Sequence, residues 1–236
     1  MSTFCFGKNR SERALQVELL VPVLFNKTTR WEVLSKIVDD MSREESDAAC
    51  VMHFVWVLRD SFYYAREKAK KDKSWKKLIT EWVKILDLPE WALDVDWWRH
   101  PDGEYKGDKN YVVHPCANRN GWTEKSIEKR VRELPIYPVP SNYMTVLIRA
   151  RQVMNTECDC FIQTPERLIV IECKDKTSFR TEQIKRQKEL LPCLKRLFDL
   201  KKEVEYVEVS REDRSAKTEN WLPWDMISEF VKTEFL

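Results

Sequence analysis

Asp159, Glu172 and Lys174 fall within one short stretch, DCFIQTPERLIVIECK, and these residue types can hold a hard divalent cation and a phosphate group together. Leu168–Lys174 is a β-branched run, and successive side chains of a strand point to opposite faces. Leu168, Val170, Glu172 and Lys174 therefore share one face, while Ile169, Ile171 and Cys173 share the other. Cys158–Gln163 reads as a partner strand, and Thr164-Pro165-Glu166-Arg167 as a four-residue hairpin loop with proline at a favoured turn position. Pairing Gln163 with Leu168 sets Asp159 opposite Glu172.

That register sorts the side chains cleanly. Cys158/Cys173, Cys160/Ile171 and Ile162/Ile169 make one wholly apolar side, whereas a one-residue slip would scramble both faces. The other side runs Gln163/Leu168, Phe161/Val170, Asp159/Glu172, with Lys174 beyond. Opposed like charges are destabilising, and neighbouring carboxylates raise each other's pKa unless a cation sits between them. Carboxylate oxygens suit Mg²⁺ or Mn²⁺ better than Zn²⁺. Lys174 would then orient or deprotonate a water, or neutralise charge on a phosphate. The alternative is an ordinary amphipathic hairpin whose terminal charges face solvent.

Asp159, a gap of twelve residues, then Glu172-Cys173-Lys174 resembles the acid…(Asp/Glu)-x-Lys core of the PD-(D/E)XK nuclease superfamily. The surrounding order is similar: a helix at Thr123–Leu134, a first strand at Met144–Val153, the hairpin, a helix at Gln183–Leu200 and a strand at Val204–Ser210. The resemblance implies an α/β, restriction-endonuclease-like α-β-β-β-α-β core with a mixed central sheet, preceded by a mainly helical N-terminal region. It implies a Mg²⁺-dependent deoxyribonuclease in which Asp159, Glu172 and the Cys173 carbonyl hold the metal. Lys174 would position a water that displaces the 3′ oxygen and leaves a 5′ phosphate. It also implies a further acid from the first helix, Glu128 before Glu124, with Glu18 a rival, and a glutamine after the lysine, Gln183 or Gln187. The chain departs from the pattern at Cys158, where a proline often precedes the first acid. RNA stays open as a substrate. A catalytically silent member of the fold that binds nucleic acid or scaffolds a complex is the rival reading.

The positioning elements divide at a loop-rich stretch, Trp91–Gly121, which holds three of the four glycines, giving an expected accessory region at 1–115 and a core at 116–236. Helices are expected from Ser11 to Phe25 with Pro22 as a kink or stop, over Trp31–Met41, over Glu45–Lys70 with Ala48, Met52, Val55 and Phe62 inward, and over Ser74–Leu86 opened by Ser74. A last helix is expected over Trp221–Leu236, with Trp224, Ile227 and Val231 on the sheet; its aromatics could equally serve a homodimer contact.

The net charge of +2 supplies no strong basic field, so attraction for nucleic acid must come from local patches. Tyr63–Lys77, YYAREKAKKDKSWKK, interleaves cations and aromatics and reads either as a DNA-binding arm or as a solvated helix end. Arg180, Lys185, Arg186 and Lys188 form a second basic stretch beside the motif. His53 suits packing, and His100 and His114 lack spaced metal-ligand partners. Seven cysteines without a CxxC pair suit reduced thiols. No run reaches the roughly twenty apolar residues of a membrane span, and the first residues lack a secretory core, so the expected setting is cytoplasmic and without membrane contact.

Overall fold

A computed structural model describes residues 20–98, 139–174, 181–200, 204–211 and 220–235, with side chains through 230, together with Gln16, Glu128, Arg132 and Lys202. The protein is α/β: a helical N-terminal region precedes a five-stranded mixed sheet interleaved with helices. It forms two compact units, one of Met1–Val55, Cys158–Lys185 and Leu200–Leu236, the other of Trp56–Glu157 and Arg186–Asp199. The expected division between 115 and 116 lies outside the described residues.

The first unit opens with helices α1 (Val21–Phe25), α2 (Lys27–Leu34) and α3 (Arg43–Asp47). Pro22 stands in the first turn of α1, where its missing N–H has no intrahelical partner to lose. Asn26 separates α1 from α2 and caps the latter, its side chain accepting from Thr28 N–H at 2.9 Å. Ser42 does the same for α3, accepting from Glu45 N–H at 3.0 Å. Strand β1 (Cys50–Val55) follows at once. The expected single helix over Glu45–Lys70 is therefore wrong: it is α3, β1 and then α4 (Val57–Asp72). Short apolar runs fit both periods. Here CVMHFV pairs with β2 (Cys158–Gln163), and the ladder decides the outcome.

Strands β2 and β3 (Leu168–Cys173) form the expected hairpin in the expected register, Gln163↔Leu168 through Cys160↔Ile171. The Thr164 hydroxyl organises its loop, accepting from Arg167 N–H at 2.9 Å. The expected first strand at Met144–Val153 is instead helix α6 (Tyr143–Met154). Leu147, Ala150, Val153 and Met154 are buried at helical rather than alternating spacing, and β1 already holds the free edge of β2.

Helix α7 (Thr181–Leu197) and strand β4 (Glu205–Ser210) agree with expectation, and β4 lies parallel to β3. The C-terminal segment differs at its start: Trp221–Pro223 is a short edge strand, β5, where proline costs no inner ladder bond, and helix α8 runs Trp224–Phe235. The sheet order is β1-β2-β3-β4-β5. Its apolar face, with Cys160, Ile162, Ile169, Ile171, Cys173, Val207 and Val209, packs against Leu20, Val23, Leu24, Val33 and Leu34 and against Trp224 and Ile227. Val231 has no described side chain.

The second unit contains α4, α5 (Trp75–Ile85), two 3₁₀ turns at Glu90–Leu93 and Val95–Trp98, α6 and the later turns of α7. Ser74 precedes α5 as expected, but its side chain makes no cap bond. Phe62, Trp82 and Trp98 pack as a buried aromatic group, the Phe62 ring edge-on to Trp82 at 5.1 Å, and Trp98 Nε1 donates to the Ala92 carbonyl at 2.7 Å. Trp97 and Trp98 thus serve the core. Ser11, Leu15, Leu19 and all of Thr123–Leu134 except Glu128 and Arg132 lie outside the described residues.

Candidate active site

Two strand ends bring the motif together in the first unit. Asp159 is the second residue of β2, Glu172 the penultimate residue of β3, and Lys174 follows β3 directly. Asp159 turns its carboxylate to the backbone, where Oδ2 accepts from Cys173 N–H at 2.9 Å. The first acid is thereby fixed beside the peptide that links Glu172 to Lys174.

Lys174 is held through its own backbone. Its N–H donates to the Val209 carbonyl at 2.8 Å, and its carbonyl accepts from Trp224 Nε1 at 2.8 Å. Its side chain returns to Glu172, with Nζ 3.1 Å from Oε1, as expected of residues two apart in an extended chain. The pair is buried, Glu172 being only 2 % exposed, so the charges are screened little and removal of one partner would strand the other. Gln183, in the first turn of α7, donates its side-chain amide to the same Glu172 oxygen.

The other candidates are dispersed differently. Gln187 is buried one turn further along α7, in the second unit, and its amide donates to the Glu157 carbonyl at 3.2 Å. Glu128 also belongs to the second unit; it is exposed and lies 3.8 Å from Arg132 in an i,i+4 pair. Glu124, Glu18, Arg180, His100 and His114 lie outside the described residues.

Two features of this neighbourhood went unread in the sequence. Glu208 of β4 is the Cα partner of Glu172 and equally buried, at 2 % exposure. The alternation Tyr206, Val207, Glu208, Val209, Ser210 could have placed it on the Glu172 face, since Val207 and Val209 take the apolar one. The second is Phe54, which has a left-handed backbone (φ 55°) where the β1–β2 ladder passes Asp159, between the pairs His53↔Cys160 and Val55↔Cys158. A bulky residue in that region costs about 1–3 kcal/mol, and such strain concentrates at functional sites.

Burial, reinforced by neighbouring negative charge, pushes the Cys160 and Cys173 thiols well up, so neither is a thiolate nucleophile. Among the described residues no cysteine is in a disulfide. Burial lowers the pKa of His53, whose ring stacks on Phe25 at 6.2 Å, in keeping with a packing role. Among the described residues, no three His, Cys, Asp or Glu side chains gather into a self-sufficient metal cage. The residues at the motif that could hold a metal are two carboxylates, Asp159 and Glu172, a set that would suit a hydrated Mg²⁺ or Mn²⁺ better than a structural zinc. Comparison with known proteins found no matching family model, no matching curated protein and no matching solved structure.

Proposed function

We propose that this chain is a metal-dependent nuclease of the restriction-endonuclease-like fold that hydrolyses DNA phosphodiester bonds. The observation that carries the reading is the convergence of Asp159, Glu172 and Lys174 at the adjoining ends of β2 and β3, each held by a named hydrogen bond. The strand order supports it as well: three antiparallel strands, a helix and a parallel fourth strand correspond to the β-β-β-α-β part of that fold, with Cys50–Val55 as the first strand.

Asp159, Glu172 and the Cys173 carbonyl would hold Mg²⁺ or Mn²⁺. A bound divalent cation polarises the phosphoryl oxygen and lowers the pKa of water. Lys174 presents its ammonium beside Glu172, where it orients the attacking water and offsets the charge growing on the phosphate. The Gln183 amide and the Lys174 ammonium both donate to Glu172 Oε1 and so orient that carboxylate. The water oxygen bonds to phosphorus, the P–O3′ bond breaks, and the proton lost by water ends on the 3′ oxygen, giving a 3′ hydroxyl and a 5′ phosphate.

A specific observation favours a second reading, a catalytically silent nuclease fold that binds nucleic acid or scaffolds a complex. Glu172 Oε1 already accepts from both Lys174 and Gln183, so this carboxylate oxygen is engaged by protein groups. Incubation with linear, circular and single-stranded DNA and with RNA, with and without Mg²⁺ or Mn²⁺, separates the two. Cleavage that EDTA stops supports the nuclease; binding without cleavage under every condition supports the silent module.

A further inference from the structure

Helix α4 buries Leu58, Phe62 and Ala69 on one side and turns Tyr64, Lys68 and Lys71 to the other, at i, i+4 and i+7. Tyr64 is 80 % exposed. Lys73 ends the helix in a left-handed conformation (φ 53°), and exposed Lys76 and Lys77 open α5. Arg66–Lys77 holds seven cations against two carboxylates in a chain whose net charge is only +2, so the positive charge is concentrated here.

These cations are little used by the fold. Glu67 pairs with Arg66 at 2.8 Å, and Lys77 approaches Glu81 only to 3.9 Å. Among the described residues no carboxylate lies within 4.0 Å of the ammonium of Lys68, Lys70, Lys71, Lys73 or Lys76, and Lys70 and Lys71 act on Glu67 only at longer range. Lys70 and Lys71 suit the end of α4, whereas Lys76 and Lys77 sit in a first helical turn, where cations are unfavourable.

We infer that the outward face of α4 and the following turn, Tyr64, Lys68, Lys71, Lys73 and Lys76, is a docking surface for the phosphate backbone of duplex DNA. Repeated lysines with one exposed phenol match phosphate contacts, which position a duplex without reading its sequence. A membrane-surface helix would need its apolar side outward, and here that side is buried. A protein interface would need central apolar anchors, which this face lacks apart from Tyr64. The choice of DNA among nucleic acids rests on the nuclease reading.

The test is fluorescence anisotropy with a labelled DNA duplex in EDTA over a series of salt concentrations. The variants are Lys68→Ala/Lys71→Ala, its Lys→Arg counterpart, and Lys27→Ala/Lys36→Ala, which removes the same charge from exposed lysines elsewhere. The first should bind about tenfold more weakly, with the slope of log K against log salt reduced by about 2. The arginine pair should restore both, and the Lys27/Lys36 pair should leave both near wild type. Equal loss in the two alanine pairs, or no loss in the first, overturns the inference. So does tighter binding to an RNA duplex of the same sequence, or binding to phosphatidylserine vesicles without binding to DNA. Binding that depends on these lysines in a protein that never cleaves would sink the nuclease reading and leave this surface standing.

Discussion

On the proposed nuclease reading Lys174 has two separable roles: its ammonium balances a buried carboxylate, and it would offset the negative charge of a bound phosphate. Lys174→Ala should cost about 3 kcal/mol of stability by stranding Glu172, seen as a lower midpoint in urea unfolding. It should also lower the cleavage rate about 10²–10³-fold at saturating Mg²⁺, the usual cost of losing one electrostatic stabiliser. Gln183→Ala leaves the ammonium in place, so a smaller loss, of about 1 kcal/mol in stability and tenfold or less in rate, is expected. Should Gln183→Ala prove as inactive as Lys174→Ala, the glutamine would have to act on substrate itself. The placement of Asp159, Glu172 and Lys174 at adjoining strand ends was legible because it follows from one local hairpin register, Gln163↔Leu168. Glu208 was missed because its neighbour is set by a parallel pairing that crosses a helix.

At the scale of elements, the β2–β3 loop is tied to the N-terminal region by charge. Arg167 is buried, its guanidinium 2.9 Å from Glu45 of α3 and 2.7 Å from Asp40, and Thr164 donates to Glu45 at 2.6 Å. Lys202 reaches Asp40 at 3.3 Å and Glu166 at 2.7 Å. Arg167→Ala should destabilise the protein by about 3–5 kcal/mol, because Glu45 would stay buried without its cation; thermal or urea unfolding measures it. The Arg167 and Lys202 hydrogen bonds hold Asp40 down from 3.8 to about 2. A carboxyl lowered on folding contributes stability that is present above its unfolded pKa and is lost as pH falls through the folded one. Stability should therefore decline from about pH 4 toward pH 2, and Asp40→Asn should flatten that part of the curve. Helices α5 and α7 were legible from their period and strand β4 from its β-branched alternation. Strand β1 was not, since its partner lies more than a hundred residues away and only that ladder distinguishes it from a helical run.

For the whole molecule, the long stretch of chain between β1 and β2 explains why reading along the chain placed the first strand wrongly: the sheet leaves off at Val55 and resumes at Cys158. The N-terminal region, expected to be accessory, supplies the helices that cover the apolar face of the sheet carrying the motif. Among the described residues no helix is long and apolar enough to cross a membrane. A cation held only by the folded site should stabilise the entire protein by mass action, about 1.4 kcal/mol at tenfold its dissociation constant. Differential scanning fluorimetry should register that as a rise in Tm with Mg²⁺ or Mn²⁺ that is absent from Asp159→Ala. An equal rise in both proteins would mean the ion binds elsewhere.

The most direct measurement is cleavage of a DNA duplex by wild type, Asp159→Ala, Glu172→Gln and Lys174→Ala, purified identically and assayed with Mg²⁺ or Mn²⁺. On the nuclease reading, wild type gives 5′-phosphate products that EDTA abolishes, Asp159→Ala and Glu172→Gln give none, and Lys174→Ala gives them about 10²–10³-fold more slowly. Equal cleavage by all four proteins, or none by any, would contradict it.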